Sequence, residues 1–141
     1  MNPTISVVIP VLNEAHHLSE LLPLLGQQEH QPLEVLVADG NSLDGSPEVA
    51  RRFGAMVIAG GRPAAGRTAG ALAAQGEWVC FLDADTRLPN RQFLRQALSE
   101  VEKRRLVGTV ADNRAYYRPG DYGWDRWWIR GCEHGCGQAS P

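Results

Sequence analysis

The sequence predicts an α/β domain with a mostly parallel sheet flanked by helices. Short β-branched apolar runs alternate with helical leucine and alanine patterns, the connections between them are short, and acidic residues stand where several of the runs end. Alternation of this kind marks βαβ units. Right-handed crossovers then bring the carboxyl ends of the strands to one edge, where open α/β sheets bind their ligands.

The first run, residues 5–12, reads Ile-Ser-Val-Val-Ile-Pro-Val-Leu and suits a strand buried on both faces, with Pro10 expected to end regular pairing. Asn13 and Glu14 open a helix on which Leu18, Leu21, Leu22 and Leu25 recur at helical spacing, weakening at Gly26 ahead of Pro32. Residues 33–37 form a second strand. The loop after it, Asp39-Gly40-Asn41-Ser42-Leu43-Asp44-Gly45-Ser46, is rich in turn formers and leads to a helix at about 47–53. A third short strand at 55–59 ends in Gly60, Gly61 and Arg62. The alanine-rich stretch 64–75 is helical, with Arg67 in its first turns and with Gly66 and Gly70 permitting close backbone approach.

The fourth strand, residues 78–82, is a continuous apolar run that ends in Asp83-Ala84-Asp85. In extended backbone, residues two apart project to the same side, so both carboxylates face one point if the strand continues through Asp85. They would repel each other unless they bind donors or a cation sits between them, and Mg²⁺ or Mn²⁺ takes hard oxygen ligands, substrate phosphates among them. The competing reading is an acidic turn, because Asp followed by Thr, Pro and Asn is also ordinary turn and capping chemistry. Asn90 then caps a helix through about 103 whose apolar face is Phe93, Leu94, Ala97, Leu98 and Val101. Residues 107–110 read as a fifth strand that could extend to Tyr117.

Past Tyr117 the pattern breaks. Trp124, Trp127 and Trp128 have the spacing of one face of a short helix, either as core packing and cover for another segment or as a membrane-surface or acceptor-lipid face. Cys132, His134 and Cys136 offer three soft ligands without an evident fourth, so the two thiols are expected to be unpaired and metal-free, and Cys80 reads as a small buried hydrophobe.

The whole chain has 141 residues, 43% of them hydrophobic and 21% charged, which fits one globular domain with a proper core. A net charge of −2 gives no basic footprint, so nucleic acid is not an expected partner. Neither a signal peptide nor an apolar run long enough to span a membrane is evident, and the expected location is the cytoplasm, with membrane association open through the tryptophans.

Four stretches, taken in order, resemble the nucleotide-binding part of a family 2 glycosyltransferase with the GT-A fold. They are Ser-Val-Val-Ile-Pro-Val-Leu-Asn-Glu at 6–14, the Asp39 to Ser46 loop, Gly-Arg-Thr-Ala-Gly-Ala at 66–71 and Phe-Leu-Asp-Ala-Asp-Thr at 81–86. The resemblance implies a nucleoside-diphosphate sugar donor of UDP or GDP type, a divalent ion (Mn²⁺ or Mg²⁺) and displacement at the anomeric carbon with inversion. It implies substrate-binding roles for Pro10, Asn13, Glu14, Asp39, Arg67 and Asp83. Glu14 and Asp39 would hold base and ribose, with Asp39 facing a uracil ring nitrogen. Arg67 is assigned to phosphate. Asp83 and Asp85 would contact ribose and the metal-bound diphosphate. Residues 1–117 would be the nucleotide-sugar-binding domain and 118–141 an aromatic-rich extension of it.

Members of that family usually run well beyond this length, and the further portion supplies the acceptor pocket and a general base. The expectation is therefore a truncated product, or a site completed by a partner chain or dimer, with Asp112, Asp121, Asp125 and Glu133 the only acids near the place of the base. The acceptor is unidentified. A rival of another class is a non-catalytic nucleotide-binding or interaction module. A phosphoacceptor receiver domain would need an acid where Ala59 and Gly60 stand. A dinucleotide-binding fold would need glycines after the first strand, and residues 10–14 hold none. A sugar nucleotidyltransferase would want a glycine- and arginine-rich first loop, also lacking.

Overall fold

The computed structural model describes residues 3–103, 108–109, 116–117 and 128–130. In chain order the elements are β1 (Ile5–Val11), α1 (Ala15–Gly26), β2 (Glu34–Asp39), α2 (Ser46–Arg52), β3 (Met56–Ala59), α3 (Pro63–Ala73), β4 (Trp78–Phe81), α4 (Phe93–Lys103), β5 (Gly108–Thr109), β6 (Tyr116–Tyr117) and β7 (Trp128–Arg130). The main sheet has the order β3-β2-β1-β4-β7. Its first four strands run parallel, and β7 pairs antiparallel with β4.

β1 is central and buried throughout, and its side chains alternate between two cores. Ile5, Val7, Ile9 and Val11 pack with Leu18, Leu21, Leu22 and Leu25 of α1, with Ala50 of α2 and with Phe93, Leu94, Leu98 and Val101 of α4. Val8 packs on the other face with Leu36, Val79, Phe81 and Ala71 of α3. The leucine and α4 stripes predicted from periodicity are thus the buried faces of those helices.

Chain direction across the sheet reverses once. β1, β2 and β3 are laid down in order toward one edge, with α1 and α2 on one face, and α3 then crosses the opposite face to place β4 on the other side of β1. The crevice at the carboxyl ends of β1 and β4 is therefore the topological switch point, the place where such sheets bind ligands.

Several expectations are corrected here. Pro10 lies inside β1 and keeps its register with Ala38 of β2. The backbone of Val11 faces β2, through the bond from Gly40 N–H at 2.8 Å, and that of Val8 faces β4, through the bond from Leu82 N–H at 3.0 Å. By alternation Pro10 faces the β4 side, where the ladder has already ended at Val8, so its missing donor costs no strand bond.

The fifth strand is Gly108–Thr109 in a separate antiparallel pair with Tyr116–Tyr117. Trp128 is not helical. It opens β7, opposite Cys80, because the outer edge of β4 needs a pairing partner and Trp-Ile-Arg has good strand propensity. Trp124, Trp127, Cys132, His134 and Cys136 lie outside the described residues.

Candidate functional site

Four groups meet the carboxyl edge of the parallel strands: Asn13 and Glu14 after β1, Asp39 as the last residue of β2, the loop 40–45, and Asp83 to Asp85 after β4. Asp39 is held from behind. Its Oδ2 accepts the N–H groups of Asn41 and Ser42, both at 3.1 Å, a local turn that fixes the carboxylate plane. Its Oδ1 is buried and has no hydrogen-bond partner among the described residues. A buried carboxylate oxygen left open is costly, and a donor arriving from a ligand would satisfy it.

Beside it, the start of α1 is tied to the loop after β2. Asn13 sits at φ 52°, a left-handed conformation that Asn tolerates. Its N–H donates to Ser42 Oγ at 2.8 Å, and its Oδ1 accepts Leu43 N–H at 2.7 Å. Glu14 is the N-cap residue of α1 but makes no side-chain cap. Its N–H donates to Ser46 Oγ at 3.0 Å, and its Oε2 lies 3.3 Å from His17 Nδ1. Asp44 supplies the cap instead: Oδ2 accepts Ala15 N–H at 2.9 Å, while Oδ1 accepts Ser46 N–H at 3.0 Å and Ser46 Oγ–H at 2.5 Å. The bond from the Ser46 hydroxyl, then that from the Ala15 amide, holds the Asp44 carboxyl below its ordinary range. Spacing gives no sign of this role for Asp44, which reads in the sequence as part of a turn-rich loop.

At β4 the premise of an extended Asp-x-Asp is corrected. The strand ends at Phe81, and residues 84–85 form a turn closed by Thr86 N–H donating to Asp83 O at 3.0 Å. The two carboxylates are therefore not paired by strand geometry. Asp83 Oδ1 takes Arg67 Nη2 at 2.5 Å, with side chains 45% and 38% exposed, so Arg67 is anchored to the acid after β4. Asp85 is exposed and has no hydrogen bond or ion pair among the described residues.

The glycines at this edge are spent on packing. A Cβ on Gly40 would stand 2.6 Å from Gly61 O and 3.3 Å from Val11 O, so the ends of β1, β2 and β3 close on one another there. A Cβ on Gly66 would meet Pro10 Cβ at 3.3 Å, which places the Arg67 turn of α3 directly over β1.

The donor set suits a hard divalent ion. Among the described residues no group of three or more His, Cys, Asp or Glu could hold a metal alone. Asp85, exposed, and Asp83, half-exposed, offer carboxylate oxygens of the kind Mg²⁺ and Mn²⁺ take together with phosphate oxygens. No described helix is long and apolar enough to cross a membrane.

The chain matches the model of glycosyl transferase family 2 over residues 6–137. The glycosyltransferase AglE of Haloferax volcanii is 33% identical over 109 residues, 70% of this chain and 36% of that protein. The undecaprenyl-phosphate 4-deoxy-4-formamido-L-arabinose transferase of Pseudomonas syringae is 33% identical over 137 residues, 87% of this chain and 39% of that protein. Among solved structures, the mannosyltransferase PcManGT from Pyrobaculum calidifontis in complex with GDP-Man and Mn²⁺ superposes with a TM-score of 0.66 at 30% identity. That match covers 72% of this chain and 33% of the other. The chain spans 36% and 39% of the length of these two curated relatives.

Proposed function

The chain belongs to glycosyl transferase family 2, and from that premise we propose that it forms the donor-binding part of a transferase using a nucleoside-diphosphate sugar and a divalent ion. The observation that carries this reading is the buried Oδ1 of Asp39 at the end of β2, which has no partner among the described residues. A uracil or guanine ring presents an N–H donor that a carboxylate oxygen accepts strongly. Glu14, tied to the same loop through its N–H bond to Ser46, would serve ribose hydroxyls. Across the switch point, Arg67 orients Asp83 for ribose or diphosphate contact, and its remaining N–H groups serve phosphate oxygens.

Asp85, with Asp83, would hold Mn²⁺ or Mg²⁺. The ion, when bound, supplies positive charge that neutralises the departing nucleoside diphosphate. An acceptor hydroxyl oxygen attacks the anomeric carbon as the carbon–oxygen bond to the diphosphate breaks, and a single displacement inverts that centre. The hydroxyl proton goes to a general base. Asp112, Asp121, Asp125 and Glu133, the acids singled out for that role, lie outside the described residues.

Calorimetric titration of the chain with UDP and with GDP, each with and without Mn²⁺, tests this reading. Metal-assisted binding of one nucleotide is expected, lost on changing Asp83 and Asp85 to alanine, with Mn²⁺ alone binding weakly for want of phosphate oxygens. No binding under any of these conditions, or binding indifferent to both substitutions, overturns it.

A further inference from the structure

α1 begins badly by its own sequence. Its first turn carries no acid, its N-cap residue makes no side-chain cap, and His16 and His17 stand where a positive charge is unfavourable. The missing acceptors arrive from the loop after β2. Asp44 reaches Ala15 N–H across 29 residues of sequence, and Ser46, itself bonded to Asp44 and fully buried, reaches Glu14 N–H. The same loop is bonded to Asn13 on both sides and carries the amides that orient Asp39. Hydrogen bonds link Asp39 through Ser42 to Asn13, the chain carries on to its neighbour Glu14, and further bonds return through Ser46 to Asp44.

We propose that Asp44 is a positioning residue for the donor nucleoside: by capping α1 from the neighbouring loop it fixes Glu14 relative to Asp39, and so sets the spacing at which base and ribose are read. The inference rests on the functional reading above, since it presumes that Glu14 and Asp39 face the nucleoside. Both oxygens of Asp44 accept hydrogen bonds from the protein, Oδ2 from Ala15 and Oδ1 from Ser46, so its role is exerted through Glu14 and Asp39. The diphosphate and metal half of the site, built on β4 and α3, does not depend on it.

The test compares the nucleotide that the unaltered chain binds more tightly, UDP or GDP, with inorganic pyrophosphate, both in the presence of Mn²⁺. Asp44→Ala is expected to weaken the nucleotide by about tenfold, the scale of one lost hydrogen bond to a charged group, and to change pyrophosphate by less than about twofold. Asp44→Asn, which keeps one acceptor oxygen, should recover part of the loss. Ser46→Ala provides a second variant should Asp44→Ala fail to fold, and should show the same selective loss.

Amide hydrogen exchange on the ligand-free chain gives an independent readout. Exchange should quicken at Glu14 and Ala15 in Asp44→Ala while Leu21 and Leu22 stay protected. Equal losses for nucleotide and pyrophosphate, or unchanged exchange at Glu14 and Ala15, overturn the positioning role. Failure of the unaltered chain to bind either nucleotide overturns the function itself, and the two failures are thereby told apart.

Discussion

Gly70→Ala should destabilise the fold, although alanine is the better helix former. Gly70 lies in α3 and is buried against β1. A Cβ there would stand 2.2 Å from Val8 Cγ1, 2.9 Å from Cγ2 and 3.1 Å from Cβ. Ordinary carbon contacts are about 3.5–4.0 Å, so the overlap exceeds 1 Å by a rough count. Val8 is fully buried with one preferred rotamer, and turning its methyls away would still leave its Cβ at 3.1 Å, a few tenths too close. Either Val8 leaves its preferred rotamer or α3 shifts away from β1.

The helix-propensity gain is about 1 kcal/mol, whereas overpacking a core of this kind costs about 1–3 kcal/mol, and the severity of this overlap puts it at the upper end. The expected net loss is about 1–2 kcal/mol. Gly26→Ala is the matched control: it is the last residue of α1, has nothing among the described residues within 4 Å of an added Cβ, and should be neutral or stabilising by up to about 1 kcal/mol. Urea denaturation of both variants measures the difference at constant m-value. A Gly70→Ala chain as stable as the unaltered one would refute the close seating of α3 on β1, and with it the placement of Arg67.

Two further outcomes follow from the ion pair and the cap. Arg67→Ala should leave stability within about 1 kcal/mol, because a pair this exposed is screened by water, while weakening nucleoside-diphosphate binding in titration. The Asp44 carboxyl titrates below its ordinary value of 3.8, so its contribution is complete above that pH and is lost as pH falls through the lower, folded-state value. The stability difference between the unaltered chain and Asp44→Asn should thus be constant above pH 3.8 and shrink only on the acid side of it. Narrowing of that gap at neutral pH would contradict the cap.

Local pattern carried much of the fold. The β-branched run of β1 and the leucine stripe of α1 could only be buried on a sheet, and both are. Gly66 and Gly70 announced the close approach of α3, and the added-Cβ distances to Pro10 and Val8 bear that out. Strand order was not legible, because it depends on which face each crossover takes, and neither was β7, whose Trp128–Arg130 segment becomes a strand only against the free edge of β4.

At the site, the residue types were legible and their partners were not. Of the two readings open for Asp83 and Asp85, an extended pair and an acidic turn, the turn is the one formed: the chain turns at 84–85 and Asp83 binds Arg67. Asp44 looked like turn chemistry because the helix it caps begins 29 residues earlier in the sequence.

The central claim is that the edge carrying Asp39 reads a nucleoside, and Asp39→Asn tests it most directly. The substitution keeps the shape and an oxygen for the Asn41 and Ser42 amides, but presents an N–H₂ group where the open Oδ1 now waits for a donor. Titration with UDP, GDP and inorganic pyrophosphate, each with Mn²⁺, should show the nucleotide weakened by about tenfold or more and pyrophosphate nearly unchanged. Equal losses for nucleotide and pyrophosphate, or full retention of nucleotide affinity, would contradict the account.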